Sequence, residues 1–254
     1  MRGDIVFETA DGSSVTSERM RLDSSGNLGI GNRTSSPDEL LHVHTSSGEA
    51  KIHVEAATNA RVRIRAHSGE SIVAFADAAS SNPGEINYTH SSDSMSFRTN
   101  GAVRATINSS GHLKLPYTPF FSVYGTSSNQ TYNDGDIVDF ENTSHNVGSH
   151  FKTTSGTGQY ERFIAPVAGV YIFTFGFFPN SASNCRIQLA VNGTVQTNPY
   201  ISGCFTAWGT GVPAPMGTQM LKLSVNDYVD VRITGGSLVN TYDGHTGFQG
   251  FFLG

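Results

Sequence analysis

The chain has 254 residues, enough for one large or two ordinary domains. Only 15% of them are charged, against roughly 25% in an average globular protein; Ser, Thr, Asn and Gly (28 Gly) replace them, which disfavours long helices and suits short strands joined by tight turns. A formal net charge of −5 without a Lys/Arg run excludes a nucleic-acid footprint, and no apolar run approaches the ~20 residues of a membrane span.

Strand-like sequence begins at Asp4 to Thr9, and the first 115 residues contain an internal repeat. Glu18-Arg-Met-Arg-Leu-Asp-Ser-Ser-Gly-Asn-Leu-Gly-Ile30 is echoed by Val103-Arg-Ala-Thr-Ile-Asn-Ser-Ser-Gly-His-Leu-Lys-Leu115. Upstream, Ile5-Val-Phe-Glu-Thr9 parallels Met95-Ser-Phe-Arg-Thr99. Each copy reads as strand, turn and strand, with Asp or Asn opening the turn through its own backbone and Gly supplying a positive φ. So small a hairpin cannot bury its apolar face alone and has to pack against copies of itself, along one chain or across chains.

Between the copies, Pro37 to Leu41 hints at a helical turn. Lys51 to Ala66 alternates with period two, Ile52, Val54, Val62 and Ile64 being interleaved with Arg61, Arg63 and Arg65, and predicts half-buried strands. The three arginines share one strand face, read as solvated or inter-chain rather than as a binding patch. Ser71–Phe75 and Glu85–Tyr88 are further strands, joined through residues 79–84.

The phrases ERMRLDSSGNLGIG, SSPDELLHV and SMSFRTNGAVRATINSSGHL occur in that order across residues 1–115. This segment resembles the repeated shaft and neck modules of bacteriophage tail fibres. The resemblance implies a β-rich trimeric fibre stalk attached to upstream fibre or tail proteins. The two prolines of residues 116–119 interrupt strand pairing and form a connector.

From Phe120 the aromatics become denser, and strands are expected at Phe120–Tyr124, Ile137–Phe140, Gly148–Lys152, Glu161–Ile164, Gly169–Phe178, Arg186–Val191, Gln219–Leu223, Tyr228–Thr234 and Gly247–Leu253. In Gly169 to Phe175 both alternating faces are apolar, as in a central strand or one pressed against another subunit. The spacing Phe140-x5-Asn146-x4-Phe151, then Phe163-x5-Gly169-x-Tyr171-x-Phe173-x-Phe175, then Phe248-x-Gly250-Phe251-Phe252-Leu253, resembles the complement C1q globular head, which shares the tumour-necrosis-factor jelly roll. Leu221-x-Leu223-x-x-Asn226-Asp227-x-Val229 fits as well, with Asn226 where the family has Gly, and the Phe151-to-Phe163 loop is longer than the family's. The resemblance implies an all-β chain ending in a C1q/TNF-like jelly-roll head (120–254), a tight homotrimer, and ligand contact by apical loops.

No nucleophile elbow, His-Glu-x-x-His or phosphate loop occurs, so no enzyme is expected. Asp134 and Asp136, with Asp139 and Glu141 close by, suit a calcium ion or simply a turn before a strand. His42-x-His44 shares a strand face; a stacked trimer would gather three such pairs, as at the axial metal sites of phage fibres, and surface or neck packing is the alternative. No cofactor is expected otherwise. Cys185 and Cys204 are too few for a disulfide scaffold and leave a bridge or two buried thiols open. For a receptor, the candidates are loop aromatics with polar neighbours: Trp208, the only Trp, with Tyr200, and the turn Tyr242-Asp243-Gly244-His245. An aromatic ring packs on the apolar face of a sugar while Asp or His fixes hydroxyls; Trp208 can equally cap the sandwich or pack in a trimer core. The sequence thus predicts the distal part of a phage tail fibre on the extracellular virion surface, binding a bacterial glycan or outer-membrane receptor without membrane insertion. A purely structural trimerisation module is the alternative.

Overall fold

The computed structural model describes residues 3–10, 12, 16–31, 36–79, 83–125, 130–153, 161–177, 179–183, 186–196, 216–240 and 246–254. Among them there is no α-helix. Contact density divides the chain into Met1–Arg65 and Ala66–Gly254, a division distinct from the stalk and head boundary expected at residues 116–119.

In the first unit, β1 (Ile5–Ala10), β2 (Thr16–Leu22), β3 (Leu28–Gly31) and β4 (Leu41–His44) form one sheet in that order, with only β3 and β4 parallel. The turn from β2 to β3 follows from its residue types. Asp23 Oδ1 accepts the N–H groups of Ser25 and Asn27 at 2.8 and 2.9 Å, and Gly26 takes φ +89°. The helical turn expected at 37–41 is not formed. The Leu40 carbonyl instead accepts the Leu28 N–H at 2.9 Å, which draws the segment into the sheet as β4. The strands expected within 51–66 are also absent: the alternation has no partner strand among the described residues.

The second unit opens with a meander of β5 (Glu70–Phe75), β6 (Gly84–Thr89), β7 (Ser94–Thr99), β8 (Ala102–Ile107) and β9 (Leu113–Lys114). Its β8-to-β9 turn repeats the first one: Asn108 Oδ1 accepts from Ser110 and His112, and Gly111 takes φ +80°. Val73, Ile86 and Phe97 pair across three strands and therefore share one face, and all three are exposed.

The head follows, with β10 (Phe120–Gly125), β11 (Thr131–Asn133), β12 (Asn142–Asn146), β13 (Phe151–Lys152), β14 (Arg162–Ile164), β15 (Gly169–Gly176), β16 (Pro179–Ser183), β17 (Arg186–Val191), β18 (Thr194–Val195), β19 (Met216–Leu223), β20 (Tyr228–Thr234), β21 (Ser237–Asn240) and β22 (Thr246–Phe252). Two five-stranded antiparallel sheets, β12-β10-β22-β15-β19 and β13-β14-β20-β17-β18, enclose the core, and β11-β21-β16 forms a small third sheet. The head is a jelly roll. Ile137–Phe140 is not a strand but makes one bridge to Arg232, and of Gly148–Lys152 only β13 is extended, because Gly148 takes φ +78° in a short 3-10 turn. The strand β12 (Asn-Thr-Ser-His-Asn) escaped the sequence reading because an edge strand needs no apolar alternation.

The spaced aromatics are the core. Phe121 lies 4.9–5.0 Å, ring centre to ring centre, from Phe151, Phe163 and Phe248, joining the two sheets. Asn146 closes a two-way bond with Phe151, donating to its carbonyl at 2.9 Å and accepting its N–H at 3.0 Å. Asn226, where the family has Gly, holds φ +69°, a conformation that Asn tolerates better than most residues. Gly250 leaves space for rings: a Cβ there would stand 2.3 Å from Phe121 and 2.8 Å from Phe173.

Candidate functional site

Two regions of the head combine exposure with organised chemistry. The first is the outer face of the sheet β12-β10-β22-β15-β19. Along β19 burial alternates strictly, so Leu221 and Leu223 point into the core while Met216, Met220 and Lys222 point away. The ladder aligns the outward residues into rows. Phe120 pairs with Phe251, Phe251 with Ile172, and Ile172 with Met220, a continuous apolar row across four strands. Phe251 is 45% and Met220 61% exposed, although both are paired in the sheet ladder. The next row is polar: Ser122, Gln249, Thr174 and Thr218, in which the two threonine hydroxyls lie 3.1 Å apart. Apolar side chains lined up on a rigid sheet beside a polar row make a surface suited to docking another protein surface.

The second region is a pocket of about 330 Å³ lined by Gln130, Thr131, Tyr132, Gly135, Asp136, Ile137 and Asp139. The loop before Phe140 brings carboxylates here. Asp139 is hydrogen-bonded by the Gln130 amide, yet burial, helped by Glu141 and Asp136, holds its pKa above the ordinary range. Behind the pocket Glu161 is buried and accepts the Phe140 N–H at 2.6 Å. Desolvation, outweighing that bond and reinforced by Asp139 and Glu141, pushes its pKa up to about 7. The Tyr132 hydroxyl is likewise raised, mainly by burial and then by Asp139.

Among the described residues no group of three His, Cys, Asp or Glu side chains converges as metal ligands. Asp134 accepts the Gly235 N–H at 2.7 Å and Asp136 the Asn133 N–H at 2.7 Å, so each ties down the turn around Gly135. In the first unit the His42 and His44 rings meet edge to face at 5.9 Å, with His42 Nδ1 3.4 Å from Asp38. Trp208, Tyr200, Tyr242, Asp243 and His245 lie outside the described residues, as do Cys185 and Cys204. The sequence reading missed Glu161 and Tyr132. A lone Glu directly before the core strand Arg162-Phe163-Ile164 was the available signal, and it is weak because such residues usually turn to solvent.

The C1q domain matches residues 120–253 of the chain. The chain belongs to the C1q-domain family. The C1q domain begins at β10 and takes in both core-forming sheets of the head. Among solved structures, the globular domain of zebrafish complement 1qA protein is similar at 18% identity, covering 54% of this chain and 98% of that one with a TM-score of 0.40. Eiger TNF from S. frugiperda (14% identity, 54% of this chain, 93% of that one, TM-score 0.40) and murine APRIL (10%, 53%, 98%, TM-score 0.38) are also similar. No curated protein matches the chain.

Proposed function

We propose that this protein is the distal part of a phage tail fibre, a homotrimer whose C1q head attaches the virion to a glycan or outer-membrane component of a bacterial surface. The observation that carries the reading is the uncovered row Phe120–Phe251–Ile172–Met220 on a face of a C1q sheet. Burying it requires another protein surface, and three identical heads around one axis supply one by symmetry. The apolar face of β5–β9 adds a second surface of the same kind. The repeated Asp/Asn-Ser-Ser-Gly turns, folding alike in β2–β3 and β8–β9, support the fibre assignment, because such units need stacking partners. The head works by binding, not catalysis: three weak sites on one rigid axis give avidity without high single-site affinity.

Light scattering on the purified chain tests the assembly: a mass near three times 27.2 kDa is expected, and a monomer overturns the reading. Adsorption of the labelled chain to a panel of bacteria tests attachment. Trp208→Ala and Tyr242→Ala are expected to weaken adsorption severalfold with the trimer intact; unchanged adsorption removes those loops from the receptor site. A trimer that adsorbs to no surface, and whose assembly is lost when the head is deleted, favours the purely structural alternative.

A further inference from the structure

Residues 51–66 carry an alternation that no other described residue of the chain pairs with. Ile52, Val54, Val62 and Ile64 are 72%, 45%, 77% and 48% exposed, and no backbone hydrogen bond joins residues 49–68 to any described residue. So long a stretch of unbonded donors and acceptors with period-two patterning is a β-ribbon without its partner. The partner is written in the same segment. Set residues 51–55 antiparallel to residues 61–65 so that Ile52 faces Ile64, and Val54 then faces Val62 on the same side. On the other side Glu55 meets Arg61, His53 meets Arg63, and beyond the ends Glu49 meets His67. Lys51 against Arg65 is the one like-charged pair, and Lys51 is already ion-paired with Glu49. A slip of one residue in either direction puts Ile52 against Arg63 or Arg65, so the register is specified. The charges complement each other as well: residues 49–55 carry two Glu and one Lys, residues 61–65 three Arg.

The two halves fit each other, yet they are not paired within this chain. We propose that they pair between copies: residues 51–55 of one chain form an antiparallel ladder with residues 61–65 of the next. Such an exchange closes either reciprocally between two copies or head-to-tail around a ring, and the ring of three rests on the trimer reading above. The occupant of this edge is a second copy of the chain, because the complementary strand is supplied by the segment itself.

Paired cysteines decide it. Directly opposed residues of an antiparallel ladder stand about 4.5–5.5 Å apart between Cα atoms, within disulfide range. The full-length variants V54C/V62C and I52C/I64C are oxidised and run without reductant, with the four single variants and the wild type, which retains Cys185 and Cys204, as controls. Covalent three-chain species from both doubles and from no control are expected. A disulfide closed within one chain, with single-chain mobility and both introduced thiols lost, overturns the proposal in favour of a hairpin. No new disulfide in a protein that light scattering shows to be trimeric overturns the exchange and leaves the trimer standing. A monomeric wild type overturns both. Should the variants fail to fold, hydrogen exchange on the wild type decides: slow exchange at residues 51–55 and 61–65 is expected, and exchange at the rate of free peptide rejects the ladder.

Discussion

Single residues in the head act through space and charge that their neighbours have already committed. Gly250 occupies a core-facing position yet has no side chain, because the Phe121 and Phe173 rings fill the volume a Cβ would take. Gly250→Ala forces rings apart in a close-packed core, an overpacking cost of about 1–3 kcal/mol, and should appear as a lower urea midpoint with the slope unchanged. Glu161 is the complementary case, a carboxyl kept from water. Its pKa in the fold, about 7, lies above its ordinary 4.5, so the folded state holds the proton more tightly than the unfolded chain. The stabilisation is complete below pH 4.5 and is lost as pH rises through about 7, amounting to roughly 2–3 kcal/mol from this group at alkaline pH. Glu161→Gln keeps an acceptor for the Phe140 N–H without the charge. Thermal unfolding should find the variant equal to wild type at pH 4 and more stable at pH 8; parallel curves for the two proteins would reject the assignment.

At the scale of elements, one turn chemistry is used twice. Asn108→Ala removes the acceptor for the Ser110 and His112 N–H groups, leaving them to water at this exposed corner. A cost of about 1 kcal/mol is expected, read as faster limited proteolysis between β8 and β9 while the head stays intact. These hairpins were legible in the sequence because their determinants are local: an Asx acceptor, a Gly at positive φ, and apolar residues on either side. The head was legible because its aromatics sit at fixed spacings along strands that all face one core. The segment 51–66 shows where such reading stops. Its alternation is a pattern of burial, but pairing is a property of whatever lies alongside, and among the described residues of one chain nothing does. Pro37 to Leu41 fails differently, because a short local preference yields to the Leu28–Leu40 backbone bond. The candidate receptor loops were chosen by composition alone, since loop sequences carry no period from which a position can be inferred.

For the whole molecule the decisive quantity is the apolar surface that one copy leaves in water. Phe251 lies at the centre of the apolar row, between Phe120 and Ile172 in the ladder. Phe251→Asp puts a charge into any interface formed there, while the outward-pointing site can hold it in a single hydrated head. Light scattering should therefore find an assembly that dissociates at a higher protein concentration than the wild type, because only the contacts outside the head remain to hold the copies. An assembly as resistant to dilution as the wild type would place the head contacts away from this row. Three copies packed on this row, as proposed above, would let each head remain a small sandwich while the assembly gains a common core.

The acceptor that opens the turn differs between its two copies, Asp23 in the first and Asn108 in the second. Hydrogen bonds from Asn27 and Ser25 hold the Asp23 carboxyl below its usual range, so its share of stability is present at neutral pH and drains away as acid protonates it. The amide of Asn108 does not titrate. Acid therefore weakens the turn that Asp23 holds, while the Asn108 turn keeps its acceptor. The head carries both responses at once, since Glu161 gains by binding its proton and Asp227, held below its usual range by Asn192 and Ser224, loses by it.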